Sequence, residues 1–257
     1  MKCDKKFLMV TGASKGFGQS IALEWAKFCA VDSKIIITAR SEKGLKETES
    51  GIKKINSGIH VVKFVADHSN PVKVAYDALF SKEIEGPGDR FDFGMIVHNV
   101  GVVEPQGEHA LTYSDLEEME KYFRLNLFSV MILNATFSRV KEYLSNPLFI
   151  VNVSSIGALS PIPTWGYYCM GKAARKMYFG TLAVEEGKSV RVLNYSPGVM
   201  NTSAVDRITN SDKTTEDIKD FCCENVIQPS DSAKKLALII SKNSFQSGTQ
   251  IDFADEV

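Results

Sequence analysis

Seven short runs rich in β-branched and other apolar residues, at 7–11, 34–39, 60–66, 93–98, 148–153, 190–195 and 250–253, alternate along the chain with six longer stretches of helical period, at 17–29, 42–55, 72–81, 115–143, 167–186 and 231–241. This alternation constrains the fold more than any other feature of the sequence. Strands separated by helix-length segments pair in parallel through crossover connections, and the helices then cover both faces of the sheet. Most of the runs carry few polar residues, as strands covered on both faces should. The expectation is an α/β chain with one doubly wound domain over 1–257, built on about seven mostly parallel strands. Two segments stand outside the pattern. Turn-rich 85–90 reads as a surface loop, and polar 202–219, within a substrate-side segment 199–225, reads as a mobile excursion or lid.

Charge and composition narrow the partners. The formal net charge is -1 and no basic run is clustered, which leaves no electrostatic footprint for nucleic acid or an anionic membrane surface. No apolar run approaches membrane-spanning length. The charged start, Lys2, Asp4, Lys5 and Lys6, is followed by only a short apolar run from Phe7 to Val10, which lacks the h-region of a signal peptide. Cys3, Cys29, Cys169, Cys222 and Cys223 have neither the paired spacing of a zinc site nor a disulfide framework. They read as reduced thiols in a cytoplasmic protein, with no metal expected and a small molecule as partner.

The first strand runs into Thr11-Gly12-Ala13-Ser14-Lys15-Gly16-Phe17-Gly18 and then into an apolar-periodic helix. Glycines there permit a tight turn and let backbone N–H groups and the helix N-terminus approach a pyrophosphate. No Gly-Lys-Ser/Thr ends the loop, so a dinucleotide fits better than ATP. Some twenty residues on, where an acidic residue would hold the 2′-hydroxyl of NAD, stands Arg40, followed by Ser41. A guanidinium can grip a 2′-phosphate as a charge-assisted fork, and Lys15 can add a second cation, which points to NADPH; two solvated surface cations are the plainer reading. Asp67, followed by His68, ends the third strand and can accept from an adenine amino group, or serve only as a turn residue. The most specific constellation is Ser155 followed by Tyr168-Cys169-Met170-Gly171-Lys172. Residues four apart share a helical face, so the Lys172 ammonium can sit near the Tyr168 phenol and favour its ionised form.

Taken in order, the loop 11–18, His98-Asn99-Val100-Gly101, Asn126, Ser155, Tyr168/Lys172 and Pro197-Gly198-x-x-x-Thr202 resemble the short-chain dehydrogenase/reductase family over essentially the whole chain. The strings 11–18, 168–175, 190–198 and 247–253 look closer to its pterin-reducing members. The resemblance implies a Rossmann-type fold and a homodimer packed through 115–143 and 167–186. It also implies reduction of a carbonyl substrate, a pterin, by NADPH. Tyr168 would donate the proton, Ser155 steady the oxyanion, Lys172 tune Tyr168 and hold the nicotinamide ribose, and Asn126 position a relaying water. Residues 12–18, Arg40, Ser41, Asp67, His68, Asn99, Tyr168, Lys172, Met200 and Thr202 would bind the cofactor. Ser155, Ile156, Tyr168, Gly198 and Asp252 would bind the substrate, with the Asp252 carboxylate accepting from the pterin amino group and ring N–H. The chain departs from the family's usual Asn-Asn-Ala-Gly at His98 and Val100, which removes no proton-transfer group. A broad carbonyl or steroid reductase and a non-catalytic dinucleotide-binding protein remain as other readings.

Overall fold

In the computed structural model, which describes residues 4–84 and 90–256, nine strands and nine α-helices follow one another in the alternation the sequence predicts. They are β1 (Lys6–Thr11), α1 (Gly16–Ala26), β2 (Lys34–Ala39), α2 (Glu42–Ile55), β3 (His60–Val65), α3 (Lys73–Ile84), β4 (Phe93–His98), α4 (Leu116–Phe123), α5 (Ser129–Phe137), β5 (Leu148–Val153), α6 (Gly166–Glu186), β6 (Val190–Ser196), β7 (Val199–Met200), α7 (Ser203–Thr209), α8 (Glu216–Glu224), β8 (Val226–Ile227), α9 (Pro229–Lys242) and β9 (Gln250–Asp252). Seven strands form one all-parallel sheet in the order β3-β2-β1-β4-β5-β6-β9. Most of the loop expected at 85–90 lies outside the described residues.

Period-two alternation divides each strand between two cores. Leu8, Val10, Ile35, Ile37, Val97 and Val151 pack with α1, α2 and α9 residues such as Ile21, Trp25, Leu45 and Leu236. Phe7, Met9, Ile36, Ile96 and Ile150 pack with Phe80, Leu133, Phe137 and Phe179 from α3, α5 and α6. Both faces are apolar because both are covered, and this makes the strands read as nearly continuous hydrophobic runs.

Two expectations need correction. The helix expected over 115–143 is interrupted: α4 passes through a π-turn at Arg124–Phe128 before α5, and the segment ends as 3₁₀ at Ser138–Tyr143. Inside that π-turn the buried Asn126 bonds outward, its Oδ1 accepting from Val102 N at 2.9 Å, while its Nδ2 donates to Tyr122 O at 3.1 Å. The polar stretch 202–219 is not a bare excursion, because it contains α7 and the first turn of α8. Each of these helices buries only one residue, Ile208 or Cys222, and so leaves no apolar stripe for periodicity to reveal. Among the described residues, no helix is long and apolar enough to cross a membrane.

Candidate active site

The sheet order reverses direction between β1 and β4, and the connections leave those two strand ends toward opposite faces. Such a switch point opens a crevice at the carboxyl ends of the strands. A hydrogen-bonded clasp closes its floor. The Thr11 hydroxyl, 2% exposed, accepts from Asn99 N at 2.9 Å and Val100 N at 3.0 Å and donates to Val97 O at 3.3 Å. Asn99 Nδ2 donates to Thr11 O at 2.9 Å. The glycine loop leaves no room for side chains above this clasp. Gly12 adopts φ +67°, and a Cβ on Gly18 would come within 2.3 Å of Gly12 O and 2.7 Å of Asn99 Nδ2. Backbone therefore lines the start of α1, where N–H groups stand ready for an anion.

Lys15 precedes α1, and its ammonium donates to Ser203 Oγ at 2.8 Å, tying the glycine loop to α7. Arg40 is exposed at the end of β2. Next to it, Ser14, Lys15, Ser41, Lys43, Gly44 and Glu47 line a hollow of about 350 Å³ at the N-terminus of α2. The Ser41 hydroxyl is engaged as the helix cap, accepting from Gly44 N at 3.1 Å. The Asp67 carboxylate accepts from Ser69 N and Oγ at 3.0 and 2.8 Å, and these bonds hold it below its ordinary range, with Arg40 adding a smaller pull. His68 is different. Its ring is buried between Thr38 Oγ1, at 3.2 Å from Nε2, and Tyr76 OH, at 2.9 Å from Nδ1, and burial lowers its pKa to about 4. That ring is a neutral part of the fold.

On the other side of the switch point, α6 presents Tyr168 and Lys172 one turn apart. Lys172 Nζ donates to Val153 O at 2.7 Å and lies 5.5 Å from the centre of the Tyr168 ring. Burial pushes the Tyr168 phenol up, while the Ser155 hydrogen bond and the Arg175 charge pull it down. Burial and Arg175 together hold the Lys172 ammonium well below its usual range. Two residues after β5, Ser155 caps a short 3₁₀ turn, with its hydroxyl accepting from Gly157 N at 3.1 Å. Ile156 beside it is half exposed. Gly198, at φ +79°, carries the chain from β6 into β7, where Met200 packs on the core beneath and leads to Thr202. Thus the glycine loop after β1 and the Ser-Tyr-Lys group after β5 stand at the same carboxyl edge of the sheet.

A family model described as short chain dehydrogenase matches residues 6–213. The chain belongs to the short-chain dehydrogenase family. It is an oxidoreductase of a family that binds a nicotinamide dinucleotide. Sepiapterin reductase of Rattus norvegicus is 33% identical over 254 residues, covering 96% of this chain and 95% of the relative. Benzil reductase of Bacillus subtilis is 29% identical, covering 83% and 80%. A Shigella flexneri short chain dehydrogenase solved as a complex with NADP superposes with a TM-score of 0.79 at 19% identity, covering 97% of both chains, and shows the common fold.

Several groups in this dehydrogenase site carry no motif and emerge only from the packing. Gln250 accepts from Ser154 Oγ at 2.8 Å and donates to Ser155 O at 3.2 Å, so the last strand braces the serine. Trp165 meets the Tyr168 ring edge-on at 5.5 Å and joins Ile208 and Cys222 in an apolar wall contributed by α7 and α8. Lys43 stands in the first turn after Arg40, a position where the sequence offered at least a second basic residue as a signal. Gly18→Ala should abolish measurable dinucleotide binding, since the added methyl collides with backbone that cannot rotate away. Titration of NADPH fluorescence against wild type and variant checks this, with circular dichroism to confirm that the variant folds.

Proposed function

We propose that this dehydrogenase is an NADPH-dependent carbonyl reductase of the sepiapterin reductase type, acting on the side-chain ketones of a pterin. The observation that supports the reading is that Ser155, with Tyr168 and Lys172 beside it, follows β5 at the same carboxyl edge of the sheet as the glycine loop after β1. Backbone of residues 12–18 would hold the pyrophosphate; Arg40, Lys43 and Ser41 would face the 2′-phosphate. Asp67 would meet the adenine, and Asn99 and Lys172 the nicotinamide ribose. Met200 and Thr202 close the far side. When bound, the reduced nicotinamide supplies a hydride to the carbonyl carbon. Tyr168 gives its phenolic proton to the carbonyl oxygen, and Ser155 donates a hydrogen bond to that oxygen as charge develops on it. Lys172, kept close by the Val153 carbonyl, favours the resulting phenolate and passes a proton back. Asn126 shapes that return path by holding the π-turn against Val102.

The pterin reading is supported by the full-length match to sepiapterin reductase and by Asp252. In β9, Asp252 stands beside Ser196 and two residues from Gln250, so the alternation puts it on the Gln250 face of the sheet. A second reading, a reductase of apolar diketones, is favoured by the apolar wall of Trp165, Ile208 and Cys222 and by the benzil reductase match. NADPH oxidation measured with sepiapterin, benzil and a steroid ketone decides between them.

A homodimer through α5 and α6 belongs to the same proposal. Val130 and Phe179 are in the core, but Met131, Met177 and Val184 remain exposed on these helices. Cytoplasmic residence and a single catalytic domain complete the reading.

Three outcomes follow from these roles. Tyr168→Phe should abolish turnover and leave NADPH affinity within a few-fold, read by steady-state rates and fluorescence titration. Arg40→Asp should reduce or reverse the preference for NADPH over NADH in kcat/KM, because a carboxylate repels the 2′-phosphate and accepts from a 2′-hydroxyl. Asp252→Asn should weaken sepiapterin use by about 1.5–3 kcal/mol while sparing a small diketone, as expected for a hydrogen bond to a charged group. Equal losses on both substrates would instead mark damage to the fold.

A further inference from the structure

Arg175 lies on the same face of α6 as Tyr168 and Lys172, two turns from the phenol, and is 1% exposed. It ends the string 168–175, which by itself assigns it no role. Its guanidinium uses all three nitrogens on neutral partners: Nε donates to Asn152 Oδ1 at 2.8 Å, Nη1 to Val100 O at 2.9 Å and Nη2 to His98 O at 2.7 Å. Among the described residues no carboxylate pairs with it. A buried charge without a counterion is ordinarily costly and is retained only where it is fully hydrogen-bonded. Here the bonds run further. Asn152 Nδ2 donates to Asn194 Oδ1 at 2.8 Å, Asn194 Nδ2 to Gly248 O at 2.9 Å, and His98 Nε2 bonds Asn134 Oδ1 at 3.1 Å. Three strands and the catalytic helix are thereby fixed to one cation.

We propose that Arg175 is a positioning residue for proton transfer: its guanidinium sets the 98–101 turn beneath the crevice and keeps an unneutralised positive charge under Tyr168 and Lys172. The inference rests on the reading of Tyr168 as proton donor. The titratable groups facing this charge are Tyr168 and Lys172 on α6, Tyr122 on α4 and His98 on β4. Cys169 and, from α8, Cys222 also face the phenol. Burial pushes His98 down to about 3, with Arg175 adding to the effect, so the imidazole is neutral and leaves the guanidinium charge uncompensated. Tyr122 is held protonated by burial and does not compensate it either. The Arg175 charge favours the Tyr168 phenolate and disfavours the Lys172 ammonium, and it thereby lowers the proton affinity of both members of the pair.

The test is a tyrosinate-absorbance titration of the protein, with Tyr168→Phe in each background isolating the signal of this one phenol. Arg175→Gln, which keeps amide donors but no charge, should weaken the acidity of Tyr168 roughly tenfold or more. Arg175→Lys, which keeps the charge and loses the fork, should restore most of it. The pH dependence of kcat should move in the same direction in Arg175→Gln. An unchanged Tyr168 titration in folded Arg175→Gln overturns the proposal, as does an equal shift in Arg175→Lys, which would assign the effect to the bonds alone. Should Arg175→Gln fail to fold, by circular dichroism, Arg175→Met is used in the same comparison. Should both fail, a Tyr168 titration in Arg175→Lys displaced by as much as tenfold overturns it, and one within a few-fold of wild type upholds it. The titration needs no substrate, so it reads Arg175 even if sepiapterin proves not to be turned over.

Discussion

Everything in the crevice depends on the clasp between the ends of β1 and β4. Two adjacent parallel strands whose connections depart to opposite faces leave a gap in the backbone cover, and here the Thr11 hydroxyl and the Asn99 amide fill its floor with four hydrogen bonds. Each buried bond contributes only about 1 kcal/mol net, but leaving any of these groups unpaired would cost the full desolvation of the group. The clasp therefore acts as a register lock. It holds the glycine loop against the turn after β4, and a methyl on Gly18 would break both at once.

The second half of the site is attached through polar contacts within an otherwise apolar layer. Phe179 seats α6 on the sheet, while Lys172 and Arg175 reach strand-end carbonyls. Apolar packing is non-directional and tolerates sliding of a helix along a sheet; hydrogen bonds to particular carbonyls do not. The phenol is thus located to within the length of a bond, which general acid chemistry requires. His98, a departure from the family's usual residue, fits this scheme as a buried neutral ring that bridges to Asn134.

The side of the crevice formed by α7 and α8 is built differently. Arg207 on α7 pairs with Glu104 at 2.6 Å and Lys15 with Ser203 at 2.8 Å, so ionic and polar contacts anchor α7 from the surface. The apolar wall against Tyr168 comes from a few residues scattered over α6, α7, α8 and the turns between. Such a wall can change its residues without disturbing the sheet, which is how one fold serves unlike ketones.

By itself the sequence determined the order and type of the sheet-forming elements, because period-two and period-3.6 patterns are local properties of the chain. It also determined the glycine cradle and the Tyr168/Lys172 pair, whose spacing is set within one turn or one helix. What only the tertiary structure decided depends on residues far apart in the chain. Asn126 lies in the π-turn between α4 and α5 and accepts from Val102, 24 residues earlier in the chain. Gln250 braces Ser155 across 95 residues, and Arg175 finds His98 across 77. His68, adjacent to Asp67, spends its ring on Thr38 and Tyr76 rather than on the crevice. None of these contacts has a period or a spacing, since each arises from where the folded sheet brings strand ends together, and burial then forces every polar group found there to pair.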